Sequence, residues 1–196
     1  MADHRLVLDL ALTLRHDGRG GVADDLGSPE ALTAWVRERT DLPPAVAGFT
    51  ADAAALRTVR ELRAAVRALF ARAVRPDPPS PADAQRLLPF ADALAQVNSA
   101  AAAVPCVPGL EWSEGDQPRA VDRAESADAV TALCAALARA AVAFLAGPDR
   151  ARLRACHAPR CVRYFLKEHP RQEWCGPSCG NRARVARHQR RHRAPA

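Results

Sequence analysis

Four cysteines lie near the C-terminus in two close pairs, Cys156-x4-Cys161 and Cys175-x3-Cys179, which are separated by thirteen residues. Two such pairs can bind one tetrahedral ion, and Zn²⁺ is the metal that most often takes four thiolates in a closed structural site. Four unrelated cysteines or two disulfides are the alternatives. Because we recognise no secretory signal and disulfides are rare in the cytoplasm, we expect a cytoplasmic protein with a zinc site.

The residues around the pairs predict the elements that position them. Two short, partly alternating segments, 152–155 and 162–166, flank the first pair and predict a β-hairpin with this pair at its turn. Pro177 suits the first turn of a helix that continues through the Arg-rich segment 182–191. The helix N-terminus then falls on the metal, where the helix dipole stabilises thiolates. The sequence therefore predicts a small treble-clef-like zinc finger, a short β-hairpin followed by a helix.

Residues of this segment also carry a family resemblance. The tetrad Cys179-Gly180-Asn181-Arg182, with Trp174-Cys175, Phe165 and the first Cys pair upstream, resembles the CGNR zinc fingers. Such fingers usually follow a helical bacterial domain called ABATE, which is associated with stress-induced transcription regulation. The segments 8–14, 32–36 and 56–63 resemble the opening motif and the next two helices of that domain. The resemblance implies a bacterial regulator with a zinc-binding finger.

Apolar periodicity predicts that the rest of the chain is helical, so that the fold is mainly α. Helices are expected from Ser28-Pro29 to about residue 42, at 52–75, at 82–102 with Leu87 and Leu94 in the core, and at 122–145. Residues 104–119 are expected to form a loop or a small extended arm. Gly147-Pro148 predicts a boundary between a helical domain at 1–147 and a finger at 150–196, with few contacts across it.

The net charge of +6 is divided unequally between these two parts. Residues 150–196 hold thirteen Arg or Lys and two acidic residues, a net +11, whereas the preceding 149 residues hold 15 basic and 20 acidic residues, a net −5. This asymmetry indicates a polyanion as the partner of the C-terminal part. A solvated, partly disordered basic tail is the alternative. The acidic helical part is instead expected to receive a signal or to form a homodimer.

The arginines that follow the second Cys pair are candidates for two different roles. Arg182 could contact a guanine base or fold back onto the zinc thiolates, and we favour the thiolates. Nucleic-acid contacts are then expected from Arg184, Arg187 and Arg191, which share one helix face, and from Arg190.

These features favour a DNA-binding transcription regulator. One alternative is an RNA-binding protein that stacks bases on Tyr164, Phe165 or Trp174, and another is a zinc-stapled protein-interaction module. An enzyme is not expected, because a four-thiolate zinc keeps no open position for water and no nucleophile–base set appears elsewhere. The apolar run at residues 1–20 is too short to span a membrane. Cys106 and Cys134 are interpreted as small apolar residues.

Overall fold

The structure, a computed structural model, describes residues 4–17, 21–81, 83 and 87–193. As predicted, the fold is mainly α. The described residues form six α-helices: α1 His4–Leu12, α2 Pro29–Arg37, α3 Ala53–Ala73, α4 Phe90–Ala102, α5 Ala129–Ala146 and α6 Pro177–Arg193. Short 3-10 turns at Pro44–Val46 and Pro148–Arg152 follow α2 and α5.

Three antiparallel hairpins connect these helices. They pair β1 Leu14–His16 with β2 Val22–Asp24, β3 Cys106–Glu111 with β4 Arg119–Ala124, and β5 Leu153–Ala155 with β6 Tyr164–Leu166. Each hairpin is a separate two-stranded sheet. Two-stranded sheets are marginal by themselves, so β5–β6 depends on α1 and α3, against which it packs.

Side-chain caps fix where three of the helices begin. The hydroxyl of Ser28 accepts from the amide of Ala31 at 3.3 Å, the carboxylate of Asp52 accepts from Ala55 at 2.7 Å, and Asp128 caps α5 in the same way. Each such cap stabilises its helix by about 1 kcal/mol.

Two predicted helix starts are wrong. The fourth helix begins at Phe90, and residues 87–89 are not helical, because Pro89 disfavours helical backbone at the residue before it. Residues 82 and 84–86 of the predicted helix lie outside the described residues. Leu87 and Leu94, which we expected in the core, are 39% and 41% exposed.

The fifth helix begins at Ala129 rather than at residue 122, since the Asp128 side chain caps the helix there. Residues 119–124 instead form β4 and pair with β3. The segment 104–119, predicted as a loop or a small extended arm, therefore contains one strand of a regular hairpin.

The core lies between α1, α3 and α5. Helix α5 contacts α1, α3 and α4, and the rings of Phe70 and Phe144 meet with their centroids 5.3 Å apart. By length and composition alone, α5 is apolar enough to cross a membrane, and half of it is buried. Its buried residues pack into this apolar cluster, as those of a core helix do.

The core continues across the predicted domain boundary at residues 147–148. Leu153, Ala155 and Tyr164 of the hairpin β5–β6 are buried in the same apolar cluster as the helices, and the Tyr164 ring lies 5.4 Å from that of Phe70. The expectation that few contacts cross this boundary is therefore wrong. The short hairpin has too little apolar surface for a core of its own and uses that of the helices.

A buried polar network crosses the same boundary. The Arg67 side chain, 2% exposed, makes a bidentate pair with Asp83 at 2.8 and 3.0 Å and donates to the Val162 carbonyl at 3.2 Å. The Tyr164 hydroxyl donates to Asp83 at 2.7 Å, and the Ser80 hydroxyl donates to the Val162 carbonyl at 2.8 Å. A buried charge is tolerated when it is paired and hydrogen-bonded in this way.

Candidate metal centre

The first Cys pair lies in the turn of the hairpin β5–β6. Cys156 directly follows β5, its amide donates to the Arg163 carbonyl at 2.9 Å, and the Cys161 amide donates to the Ala158 carbonyl at 2.9 Å. Arg160 takes φ of 65°, the left-handed region that non-glycine residues adopt mostly in tight turns. The turn therefore folds back on itself and brings the two thiols together.

The second Cys pair lies at the start of α6. Cys175 precedes the helix and Cys179 is its third residue, with Pro177 as the first. The Cys179 amide donates to the Gly176 carbonyl at 3.1 Å and closes the first turn. The Cys175 amide donates to the sulfur of Cys156 at 3.5 Å and so links the two pairs.

The four sulfur atoms form one cluster. The Sγ atoms of Cys156, Cys161, Cys175 and Cys179 all lie within 4.8 Å of one another, with 3.7 Å between Cys161 and Cys175 and 3.4 Å between Cys175 and Cys179. A tetrahedral ion with Zn–S bonds of about 2.3 Å would separate its sulfurs by about 3.8 Å. All four are free thiols, and three are almost fully buried. The cluster thus fits a closed four-coordinate metal site.

The proximity of the thiols controls their ionisation. Hydrogen bonds from Cys161 and then Cys175 lower the pKa of Cys156 to about 2. The hydrogen bond to Cys156 raises the pKa of Cys161 to about 11, and hydrogen bonds to Cys156 and Cys161 hold the pKa of Cys175 far above its usual range. The Cys156 thiolate thus accepts hydrogen bonds from its neighbours, and a bound cation would compensate the charge of further thiolates.

The tetrad 179–182 has a structural use for each residue. The Arg182 Nη2 donates to the Cys179 sulfur at 2.9 Å, and the Asn181 side chain accepts a hydrogen bond from Arg184. A Cβ atom at Gly180 would lie 3.3 Å from the Trp174 ring, so a larger residue would crowd the indole. Of the two roles considered for Arg182, the geometry matches the one at the thiolates, where its charge offsets that of the sulfur.

Comparison with family models identifies both parts of the chain. The model of ABATE, described as a putative stress-induced transcription regulator, matches residues 4–148. The chain belongs to the ABATE family. A second model, the CGNR zinc finger, matches residues 152–192 and contains the whole sulfur cluster. The comparison with curated proteins finds no match. Neither family description names an enzyme.

The basic face of the CGNR finger lies on α6. Arg184, Arg187 and Arg190 are exposed, whereas the Arg191 side chain lies outside the described part of the structure. After Ala183, no residue of α6 whose side chain is described is buried, and Val185 is 56% exposed. Arg184, Arg187 and Arg190 therefore present their charge to solvent on the part of α6 beyond the metal cluster.

A basic cleft that the sequence analysis missed lies beside the sulfur cluster. Its volume is about 380 Å³, and its lining includes Arg15, His16, Arg163 and Arg182 but no acidic residue. Arg163 follows Cys161 by two residues, so its place near the metal could have been inferred from the hairpin. Arg15 belongs to β1 of the ABATE domain, more than a hundred residues upstream, and only the tertiary fold brings it to the finger.

The aromatic and cysteine residues considered as further candidates are buried or partly buried. Tyr164 is fully buried, so the prediction that it could stack on an RNA base is wrong. Phe165 and Trp174 are partly buried and pack against the sulfur cluster. Cys134 is buried in α5, where burial raises its pKa to about 11, and the thiol of Cys106 lies 3.6 Å from the Val104 carbonyl.

Proposed function

We propose that this ABATE-family chain is a zinc-dependent, DNA-binding transcription regulator of the bacterial cytoplasm. The observation that carries the proposal is the basic helix α6, whose first turn holds two ligands of a four-sulfur cluster and whose arginines Arg184, Arg187 and Arg190 are exposed. A helix held at one end in this way suits insertion into a DNA groove. The ABATE domain supplies the scaffold and receives the signal.

Zinc is the metal that best suits the cluster. Four thiolates in a tetrahedral arrangement favour Zn²⁺ over the harder ions that prefer oxygen ligands. When bound, the metal supplies folding energy rather than catalysis, since four protein ligands leave no position for water. The chain's own residues do the rest: Cys156 and Cys161 fix the hairpin turn, Cys175 and Cys179 fix the helix, and Arg182 offsets the thiolate charge.

Phosphate contacts account for most of the affinity in this proposal. Arg184, Arg187 and Arg190 are exposed on α6, and Arg191 follows on the same helix. Arginine pairs with phosphate oxygens through two donors at once, which also fixes orientation. DNA is favoured over RNA because the finger lacks an exposed stacking platform at Tyr164, whereas single-stranded RNA recognition depends on such rings.

The salt dependence of binding tests this proposal. We expect the zinc-loaded chain to bind duplex DNA with an affinity that falls steeply as salt rises, because each phosphate contact contributes a slope of about 0.9 in log affinity against log salt. The double substitution Arg184→Ala with Arg187→Ala should make the slope shallower by about 2 and weaken binding. Arg37→Ala with Arg57→Ala removes the same charge from exposed positions outside the finger and is the matched control.

Equal losses in the two double variants would mean that only net charge matters, and α6 would not be the interface. If single-stranded RNA displaced duplex DNA at equal nucleotide concentration, the RNA alternative would replace this proposal.

Self-association of the ABATE domain is a further part of the proposal, supported by Val107, Leu110 and Trp112 of β3–β4, which are each more than 60% exposed. Light scattering of the purified chain measures it.

A further inference from the structure

A second cavity lies within the ABATE domain, between the hairpin β1–β2 and α3. Its volume is about 620 Å³, which is within the range of small-molecule sites. Three arginines of α3, namely Arg60, Arg63 and Arg67, line it together with Asp24 and Asp83. Charged side chains at this density are costly to bury and are seldom retained in a cavity without a partner.

The described charges that line the cavity do not balance. Arg63 makes a bidentate pair with Asp24 at 2.6 and 2.7 Å, and Arg67 makes its bidentate pair with Asp83. Arg60 also lies beside Asp24, but it makes no bidentate pair. Its Nε lies 3.3 Å from the Oδ2 atom of Asp24 and makes no hydrogen bond to any described residue. Three guanidinium groups face two carboxylates, which leaves one positive charge at Arg60.

The remaining lining is apolar. Leu14, Val22, Ala64 and Leu87 contribute hydrocarbon surface to the same cavity. A ligand that fits these walls therefore has an apolar body and one anionic group. Arg60 is suited to hold that group, since its side chain is 37% exposed and a guanidinium carries five N–H donors.

We propose that this cavity binds a small amphipathic organic acid, whose carboxylate or phosphate pairs with Arg60 and whose apolar body lies against Leu14, Val22 and Leu87. The binding site stands on the geometry alone, whereas its role as the effector site rests on the proposed function. The ligand adds the one negative charge that the described lining lacks.

The cavity is connected to the metal hairpin through Arg67. Its guanidinium lines the cavity and also donates to the Val162 carbonyl at 3.2 Å, next to the metal ligand Cys161. Ser80 donates to the same carbonyl at 2.8 Å. The acid group pairs with Arg60, while the rest of the ligand adjoins the Arg67 guanidinium in the same cavity. A displacement of Arg67 would move a donor shared with the hairpin turn, which would couple ligand binding to the position of the finger.

Calorimetric titration of the full, zinc-loaded chain tests the site. The probes are benzoate, hexanoate and phenyl phosphate, and benzamide is the neutral counterpart of benzoate. We expect saturable binding of at least one of the three acids and none of benzamide. Arg60→Gln should weaken that binding at least tenfold while leaving both buried ion pairs in place. Arg57→Gln, an exposed position on the same helix, should bind like the original chain.

Each other outcome overturns part of this inference. If none of the three acids binds saturably, if benzamide binds as well as benzoate, or if Arg60→Gln binds like the original chain, then the cavity is not an acid site. If an acid binds but leaves the affinity for duplex DNA unchanged, the acid site is supported, whereas its coupling to the finger is refuted. Acid binding by a chain that binds no DNA would refute the proposed function alone.

Discussion

Removing one hydroxyl at the boundary between the two family segments tests whether they share a core. The Tyr164 hydroxyl donates to Asp83 at 2.7 Å and accepts from the Ser80 amide at 3.4 Å. Burial, and then the charge of Asp83, hold the pKa of Tyr164 well above its usual range, so the hydroxyl remains a donor at all working pH values. Tyr164→Phe deletes this bond and keeps the ring that packs against Phe70.

The size of the effect follows from the type of bond that is lost. A hydrogen bond to a charged acceptor contributes about 1.5–3 kcal/mol, and the ring packing is unchanged. We therefore expect the free energy of unfolding to fall by about 2 kcal/mol. For a chain of this length, that corresponds to a decrease in Tm of about 4–8 °C.

Urea unfolding of the zinc-loaded chain measures this, with circular dichroism reporting on the helices and a chelating dye reporting on zinc release. We expect both transitions to move together, because Tyr164 belongs to the finger and Asp83 and Arg67 belong to the helical part. Thr58→Val, which removes an exposed hydroxyl from α3, should change stability by less than about 0.5 kcal/mol. A shift of zinc release with an unchanged helical transition would refute the shared core.

Three further predictions follow from the same structure. Cys175→Ser should lose the metal and unfold the finger, because metal binding supplies roughly 10 kcal/mol or more of folding energy in such modules, whereas Cys134→Ser should keep full zinc content by mass spectrometry. Asp24→Asn should destabilise the fold at pH 7. Burial raises the pKa of Asp24, but the hydrogen bond and charge of Arg63 outweigh it and lower the pKa below 3.8. Because the contribution of this carboxylate is present above the unfolded pKa and lost as pH falls through the folded one, the difference between variant and original should shrink below about pH 4 in thermal melts. A chain that ends at Gly147 should keep helical circular dichroism but lose a cooperative thermal transition, since Leu153 and Tyr164 no longer fill the core; a sharp melt of this fragment would show that the ABATE domain folds alone.

The sequence was sufficient for features that depend on neighbours along the chain. Cysteine spacing, the Pro177 helix start and the Ser28 cap are local, and each has its predicted counterpart in the structure. The hydrogen bonds of Arg182 with Cys179 and of Arg184 with Asn181 are equally local, because each joins residues three apart.

Features that depend on distant residues could not be predicted in this way. The start of α4 is different, because its cause is local: Pro89 disfavours helical backbone at Leu88, and the apolar pattern alone does not register this. Hairpin β3–β4 is held by pairing between strands seven residues apart, in a segment where Pro and Gly suggested a loop. The pairing of Arg67 with Asp83 and Val162 joins three separate segments, and no spacing rule indicates it.

If α6 contacts DNA as proposed, the sulfur cluster that holds its first turn is the pivot of the contact surface. From Cys179 to Arg191 the helix rises by about 18 Å, at about 1.5 Å per residue. A tilt of about 10° at the sulfur cluster therefore moves its far end by about 3 Å, which is close to the rise of one base along a DNA strand. In the proposed DNA complex, small adjustments among the four sulfur atoms would thus change which phosphates the arginines reach.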